Sequence, residues 1–171
     1  MDHEIWVRPL EKDDIPFMHK LYNQKSIMDY WFLEAYYPQD RITSGYEQMK
    51  ESDRHRRFVI CKGDENIGLT GLYDIEPIHR NTEFGIMMDP AYQGKGYATK
   101  VTEMMADYAF RILNLHKVHL VVAKENKKAI HIYEKIGYHI EGEMKEHFYI
   151  NGSYQDAYMM AIFQAEWDNN A

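Results

Sequence analysis

Residues 86–99 of this sequence read Ile86-Met87-Met88-Asp89-Pro90-Ala91-Tyr92-Gln93-Gly94-Lys95-Gly96-Tyr97-Ala98-Thr99. Pro90 lacks the N–H that a strand ladder needs, so the apolar strand before it is predicted to end by Asp89. From Val101, the apolar residues Val101, Met104, Met105, Tyr108, Ala109 and Ile112 recur at the helical period. Lys100, Glu103, Asp107 and Arg111 take the other face. A helix opening out of a glycine-bearing turn presents unpaired N–H groups at the positive end of its dipole, which makes an anion site. Gly94 and Gly96 let a phosphate approach the backbone, and Lys95 adds positive charge. Known phosphate loops fit poorly: Gly94-Lys95 is followed by glycine rather than by Ser or Thr, and Thr99 stands where a dinucleotide fingerprint needs its third glycine.

A second pair with chemical potential is Asn126 and Tyr133. They stand seven residues apart, two helical turns, and so share a face with Ala129 and Ile130 between them. His131 is turned away from that face. His116 and His119 lack zinc spacing, and no His-Glu-x-x-His motif occurs, so no catalytic metal is expected. Cys61, the only cysteine, sits in an apolar strand and reads as a buried small hydrophobe.

The elements that must position these groups follow in order. Ile5-Trp6-Val7-Arg8-Pro9 alternates like an edge strand, and Asp13 or Asp14 can cap a helix bearing Ile15, Phe17, Met18 and Leu21. Tyr30, Trp31, Phe32, Tyr36 and Tyr37 crowd around Glu34, an array that suits a cation-binding wall or packing between short helices. Residues 40–54 read as helical. Strands are predicted over 57–62, 67–75 and 82–88, an antiparallel meander turned at 63–66. A strand at 118–122, a helix from Asn126 closed by Gly137, and strands at 138–144 and 154–163 across an Asn151-Gly152 turn complete the chain. At 171 residues, 45% hydrophobic and 27% charged, the chain is expected to form one domain spanning 1–171. No apolar run approaches a membrane span and the acidic start is no signal peptide, so a cytoplasmic protein without membrane contact is expected. The net charge of −7 argues against nucleic acid as a partner and suits a cationic substrate.

Gln93-Gly94-Lys95-Gly96-Tyr97-Ala98 resembles the Gln/Arg-x-x-Gly-x-Gly/Ala signature of the GCN5-related N-acetyltransferases (GNAT), and the element order matches along the whole chain. The resemblance implies an α/β (α+β) GNAT fold, a mixed, mostly antiparallel sheet of about seven strands flanked by about four helices. Tyr30-Trp31-Phe32 with Glu34, residues 80–84, Leu113-Asn114-Leu115, residues 125–134 and Phe148-Tyr149-Ile150-Asn151-Gly152 look like the bacterial spermidine N-acetyltransferases. That family implies acetyl-coenzyme A as cosubstrate, a polyamine (spermidine or spermine) as acceptor, and homo-oligomers built as dodecamers. By the same resemblance, acetyl-coenzyme A is expected at Ile86, Met87, Met88, Gln93, Gly94, Lys95, Gly96, Tyr97, Ala98, Thr99, Asn126, Lys128, Ala129 and Lys135. The polyamine is expected at Glu34, Asp74, Glu76, Glu83, Phe84 and Gly85.

An amine of pKa ~10.4 exposes its lone pair in only about one molecule in a few thousand at pH 7, and deprotonation costs roughly 4 to 5 kcal/mol. Glu83, on the strand leading into the signature, is the candidate base, the alternative being a strand carboxylate paired with Arg80. The family likeness makes Tyr133 the general acid to the leaving thiolate, and the phenol's ~10 against a thiol's ~8.5 is expected to favour that transfer. Some members also carry a second polyamine site with a divalent cation held by a Glu-Glu pair and a strand acid. Here the pair reads Leu33-Glu34, one acid short of that pattern, with Asp74 and Glu76 on the strand. Two other readings stay open: acetylation of protein N-termini or other amines, and a non-catalytic acetyl-coenzyme A sensor.

Overall fold

The computed structural model describes residues 5–31, 33–34 and 36–169; Phe32 of the expected aromatic array lies outside them. Seven strands form one sheet: β1 Ile5–Pro9, β2 Arg56–Lys62, β3 Glu65–Glu76, β4 Asn81–Met88, β5 Lys117–Ala123, β6 His139–Ile150 and β7 Ser153–Phe163. Their order is β1-β2-β3-β4-β5-β7-β6, and only β4 and β5 run parallel. The helices are α1 Ile15–Tyr22, α2 Lys25–Trp31, α3 Gln39–Lys50, α4 Tyr97–Asp107, α5 Lys127–Ile136 and α6 Gln164–Asn169. This is the expected α/β architecture, with the short α6 as the element that the sequence pattern does not announce.

The sheet separates two apolar clusters. On one face Phe84 and Met88 of β4 pack with Val101, Met105 and Phe110 of the α4 region and with Ile130 and Tyr133 of α5. On the other, Met87 joins Val59, Cys61 and Leu69 beneath α1, α2 and α3. Period-2 alternation along β4 sends its neighbouring side chains to opposite clusters. Cys61 is 2% exposed and burial pushes its thiol up, in keeping with a packed, unreactive residue.

Two local expectations are corrected. Asp14 stands at the start of α1 but makes no cap hydrogen bond there. Its carboxylate instead receives Arg8 Nη1 and Nη2 at 2.8 and 2.7 Å and the Glu11 N–H at 2.9 Å. The helix expected to run through Ile112 ends as α-helix at Asp107 and continues as one π turn, Tyr108–Ile112. The Leu113 N–H reaches back to the Tyr108 carbonyl at 3.1 Å, and the wider turn shifts the helical phase. Phe110 is thereby buried at 1% exposure, and Ile112 is left 70% exposed.

Candidate active site

β4 and β5 pair only at Asn81↔Lys117, Thr82↔Val118 and Glu83↔His119. Beyond Glu83 the two strands diverge, while β4 stays paired with β3 as far as Gly68↔Met88. The Asp89 N–H donates to Ile67 at 2.9 Å, which fixes the phase of that ladder. Met87 and Gly85 therefore face β3, and the backbone groups of Ile86 and Met88 face the gap. Their carbonyls are taken by Trp31 Nε1 at 2.9 Å and Gln93 Nε2 at 3.0 Å. The N–H groups of Ile86 and Met88 are left aimed into the gap. Among the three residues expected to supply main-chain contacts, Met87 thus contributes wall rather than a donor.

Past the gap the chain turns sharply. Asp89 accepts the Ala91 N–H at 3.0 Å and Lys20 Nζ at 2.6 Å, fixing the turn that Pro90 begins. Burial would raise the Asp89 carboxyl, but the Lys20 ammonium and the Ala91 N–H together hold it below the usual carboxylate range. Gly94 and Gly96 have φ of 73° and 80°, where a side chain is strained, and a Cβ on either would meet nothing within 4 Å. The open space lies over the first turn of α4, whose Tyr97, Ala98 and Thr99 N–H groups precede the first intrahelical bond and have no side-chain cap. Lys95 departs from expectation: its ammonium folds back to the Ala91 carbonyl at 3.0 Å and over the Tyr92 ring, outside the lining of the cleft.

This turn, the gap and α5 line one cleft of about 770 Å³. Gln93, Gly94, Gly96, Tyr97, Ala98, Thr99, Asn126, Lys128 and Ala129 lie along it, with Ile86 to Met88 and Tyr133 at the far end. Lys127, which the sequence reading passed over, adds a second cation beside Lys128. Lys135 is exposed and lies off the cleft. Asn126 caps α5, its Oδ1 accepting the Ala129 N–H at 3.3 Å, so its amide Nδ2 is the group left for a ligand. Tyr133 is 9% exposed and packs edge-on against Phe84; burial raises its phenol, which has no hydrogen bond among the described residues. His131 lies at the exposed rim of the cleft.

On the opposite face of β4 stand Glu83 and Gly85. Glu83 is half-buried, its carboxylate has no partner among the described residues, and Arg80 binds Asn114 and Gln164 instead. Burial first, and Asp74 second, raise the Glu83 carboxyl above its ordinary 4.5. Tyr73 pairs with Glu83 across the ladder and its phenol is pushed up to about 12 by burial. Gly85 leaves room for Trp31: a Cβ there would lie 3.0 Å from the indole and 3.1 Å from the Tyr73 ring. His119, directly across from Glu83, was not legible as a site residue; burial and then Lys117 lower it, so it is neutral at pH 7. The Val118-His119-Leu120 alternation carried the signal, since it places a polar side chain on the Glu83 face.

Of the remaining expected acceptor residues only Asp74 stands near enough to act on Glu83. Phe84 faces the α4 and α5 side. Glu76 is paired with Arg54 at 3.6 Å, and Asp74 is exposed. Glu34 borders a separate hollow of about 430 Å³ between α2 and residues 147–151. Among the described residues no three His, Cys, Asp or Glu side chains are grouped to hold a metal ion, and no helix is long and apolar enough to cross a membrane.

Residues 4–139 match the acetyltransferase (GNAT) domain family. The chain is 44% identical over 165 residues to spermidine N(1)-acetyltransferase of Escherichia coli strain K12, covering 96% of this chain and 89% of that protein. It is 43% identical over 172 residues to the Vibrio cholerae spermidine N(1)-acetyltransferase, covering 100% and 99%. The crystal structure of spermidine N-acetyltransferase from Vibrio cholerae in complex with CoA and spermine superposes with a TM-score of 0.94 at 44% identity, over 96% of this chain and 98% of that one.

Proposed function

Because this chain belongs to the GNAT acetyltransferase family, we propose that it transfers the acetyl group of acetyl-coenzyme A to a primary amine of spermidine or spermine. One observation carries the reading: the β4–β5 gap connects a backbone anion cradle to Tyr133 on one face and begins just past an unpaired carboxylate, Glu83, which points to the other. The residues fit the cosubstrate. Open glycines over the α4 amides suit a pyrophosphate, and the Ile86 and Met88 N–H groups suit amide and carbonyl oxygens of an extended arm. Acetyl-coenzyme A supplies the acetyl thioester; the chain supplies position, proton handling and exclusion of water.

Glu83 takes the proton that leaves the amine as the carbon–nitrogen bond forms. Its raised carboxyl makes it a stronger base than a solvated glutamate. Free N–H groups at the gap support the charge that gathers on the carbonyl oxygen, a contribution of about 3 kcal/mol per well-placed donor. Tyr133 donates to the sulfur as the carbon–sulfur bond breaks. The favourable order expected from the two pKa values is in fact the reverse of what complete transfer needs. A phenol of ~10 gives its proton to a free thiolate of ~8.5 only uphill, by roughly 2 kcal/mol, and burial raises Tyr133 further. A partly formed thiolate is less basic still, so Tyr133 completes the transfer only where its surroundings stabilise the phenolate, and one proton returned to that phenolate balances the one the amine gave to Glu83.

Release of free thiol from acetyl-coenzyme A in the presence of spermine, spermidine and a short peptide tests the reading. Turnover with either polyamine supports it. Turnover with the peptide alone would instead make the chain a protein N-terminal acetyltransferase, and no turnover with retained coenzyme A a sensor. β6, exposed along nearly its whole length at the end of the sheet, supports a homo-oligomer through that edge.

A further inference from the structure

The Tyr138 hydroxyl is the one buried side-chain polar atom left without a hydrogen-bond partner among the described residues. Tyr138 is 3% exposed and follows Gly137, whose φ of 114° closes α5 in the left-handed region. The closure ties it to Tyr133: the Gly137 and Tyr138 N–H groups both donate to the Tyr133 carbonyl, at 3.2 and 2.9 Å. The two rings are held with centroids 5.7 Å apart and planes at 53°. A buried O–H with no acceptor keeps the whole cost of its desolvation, and phenylalanine would fill the same space without it.

We propose that Tyr138 is a positioning residue for Tyr133, its O–H, unpaired in the resting structure, being drawn to the Tyr133 oxygen across one water or by a small ring shift as that oxygen takes charge. The inference rests on the reading of Tyr133 as the acid. When the Tyr133 O–H bond breaks toward sulfur, the phenolate left behind lies in an apolar surround with no cation among its described contacts. A charge-assisted hydrogen bond from Tyr138, which keeps its own proton, stabilises that phenolate far more than it stabilises the neutral phenol. The bond thus acts on the transition state and not on cosubstrate binding.

The test is a cycle of Tyr138→Phe, Tyr133→Phe and the double variant, measuring kcat, KM for acetyl-coenzyme A and thermal unfolding. Tyr138→Phe is expected to lower kcat about tenfold, leave KM unchanged and unfold no earlier than the parent. In the Tyr133→Phe background it is expected to change kcat no further. The inference is overturned if Tyr138→Phe retains parental kcat, or if it costs the same factor in both backgrounds, which would mark a structural role. Failure of the underlying reading looks different: Tyr133→Phe alone would keep full turnover, and both assignments would fall together.

Discussion

The two faces of β4 are built on different principles. Toward α4 and α5 the site is dominated by main-chain donors, the first amides of α4 and the N–H groups of Ile86 and Met88, with the side chains of Asn126, Lys127, Lys128 and Tyr133 beside them. Toward α1 and α2 it consists of side chains: Glu83, Tyr73, His119 and the Trp31 indole over Gly85. Backbone recognition reads phosphate and amide groups that are constant in one cosubstrate. Side-chain recognition is where a different amine can be accommodated by substitution. The gap in the sheet joins them, so in the function proposed above one strand would present the acyl donor on one side and the acceptor on the other.

This division can be broken by four substitutions that should act on one face each. Tyr133→Phe should have the largest effect, a fall in kcat of about 10² to 10⁴ with little change in KM for acetyl-coenzyme A, measured by thiol release. Glu83→Gln should lower kcat/KM for spermidine by about 10² at pH 7. The parental kcat/KM should fall as pH drops through the raised Glu83 pKa, because the base must be ionised, and the variant should lack that limb. Stability should move the other way. A carboxyl raised by burial penalises the folded state once the pH exceeds its ordinary 4.5, so Glu83→Gln should melt higher at neutral pH and equally below that value.

Gly96→Ala forces a side chain to φ 80°, at about 1–2 kcal/mol of strain, and fills the space over α4. It should raise KM for acetyl-coenzyme A roughly tenfold and leave KM for the amine alone. Gly85→Ala places a Cβ 3.0 Å from Trp31 and displaces the indole by a few tenths of an ångström. Its effect should be the smallest, a few-fold rise in KM for the amine without change for acetyl-coenzyme A. If Gly96→Ala altered the amine KM, or Gly85→Ala that of acetyl-coenzyme A, the two faces would not be independent.

The donor face was largely legible in the sequence. Pro90, Gly94 and Gly96 dictate a stop, a turn and an open helix start, and the Asn126–Tyr133 spacing follows from helical period. The acceptor face was less so. Glu83 was singled out from its strand, but His119, 36 residues further along the chain, is brought opposite it only by the β4–β5 register. Lys95 was misplaced because spacing says nothing of where a long side chain folds, and here the Ala91 carbonyl claims it. Ile112 was misassigned because a π turn shifts the phase on which the periodicity depends.

Asp89 touches both halves of this arrangement, since the same carboxylate holds α1 through Lys20 and the signature turn through Ala91. A carboxyl held below its ordinary value contributes while ionised, and the contribution disappears as acid protonates it in the folded state. Acidification should therefore loosen α1 and the signature turn together at a single titration step. Tolerance to acid would then belong to this one junction between α1 and the signature turn and to neither pocket.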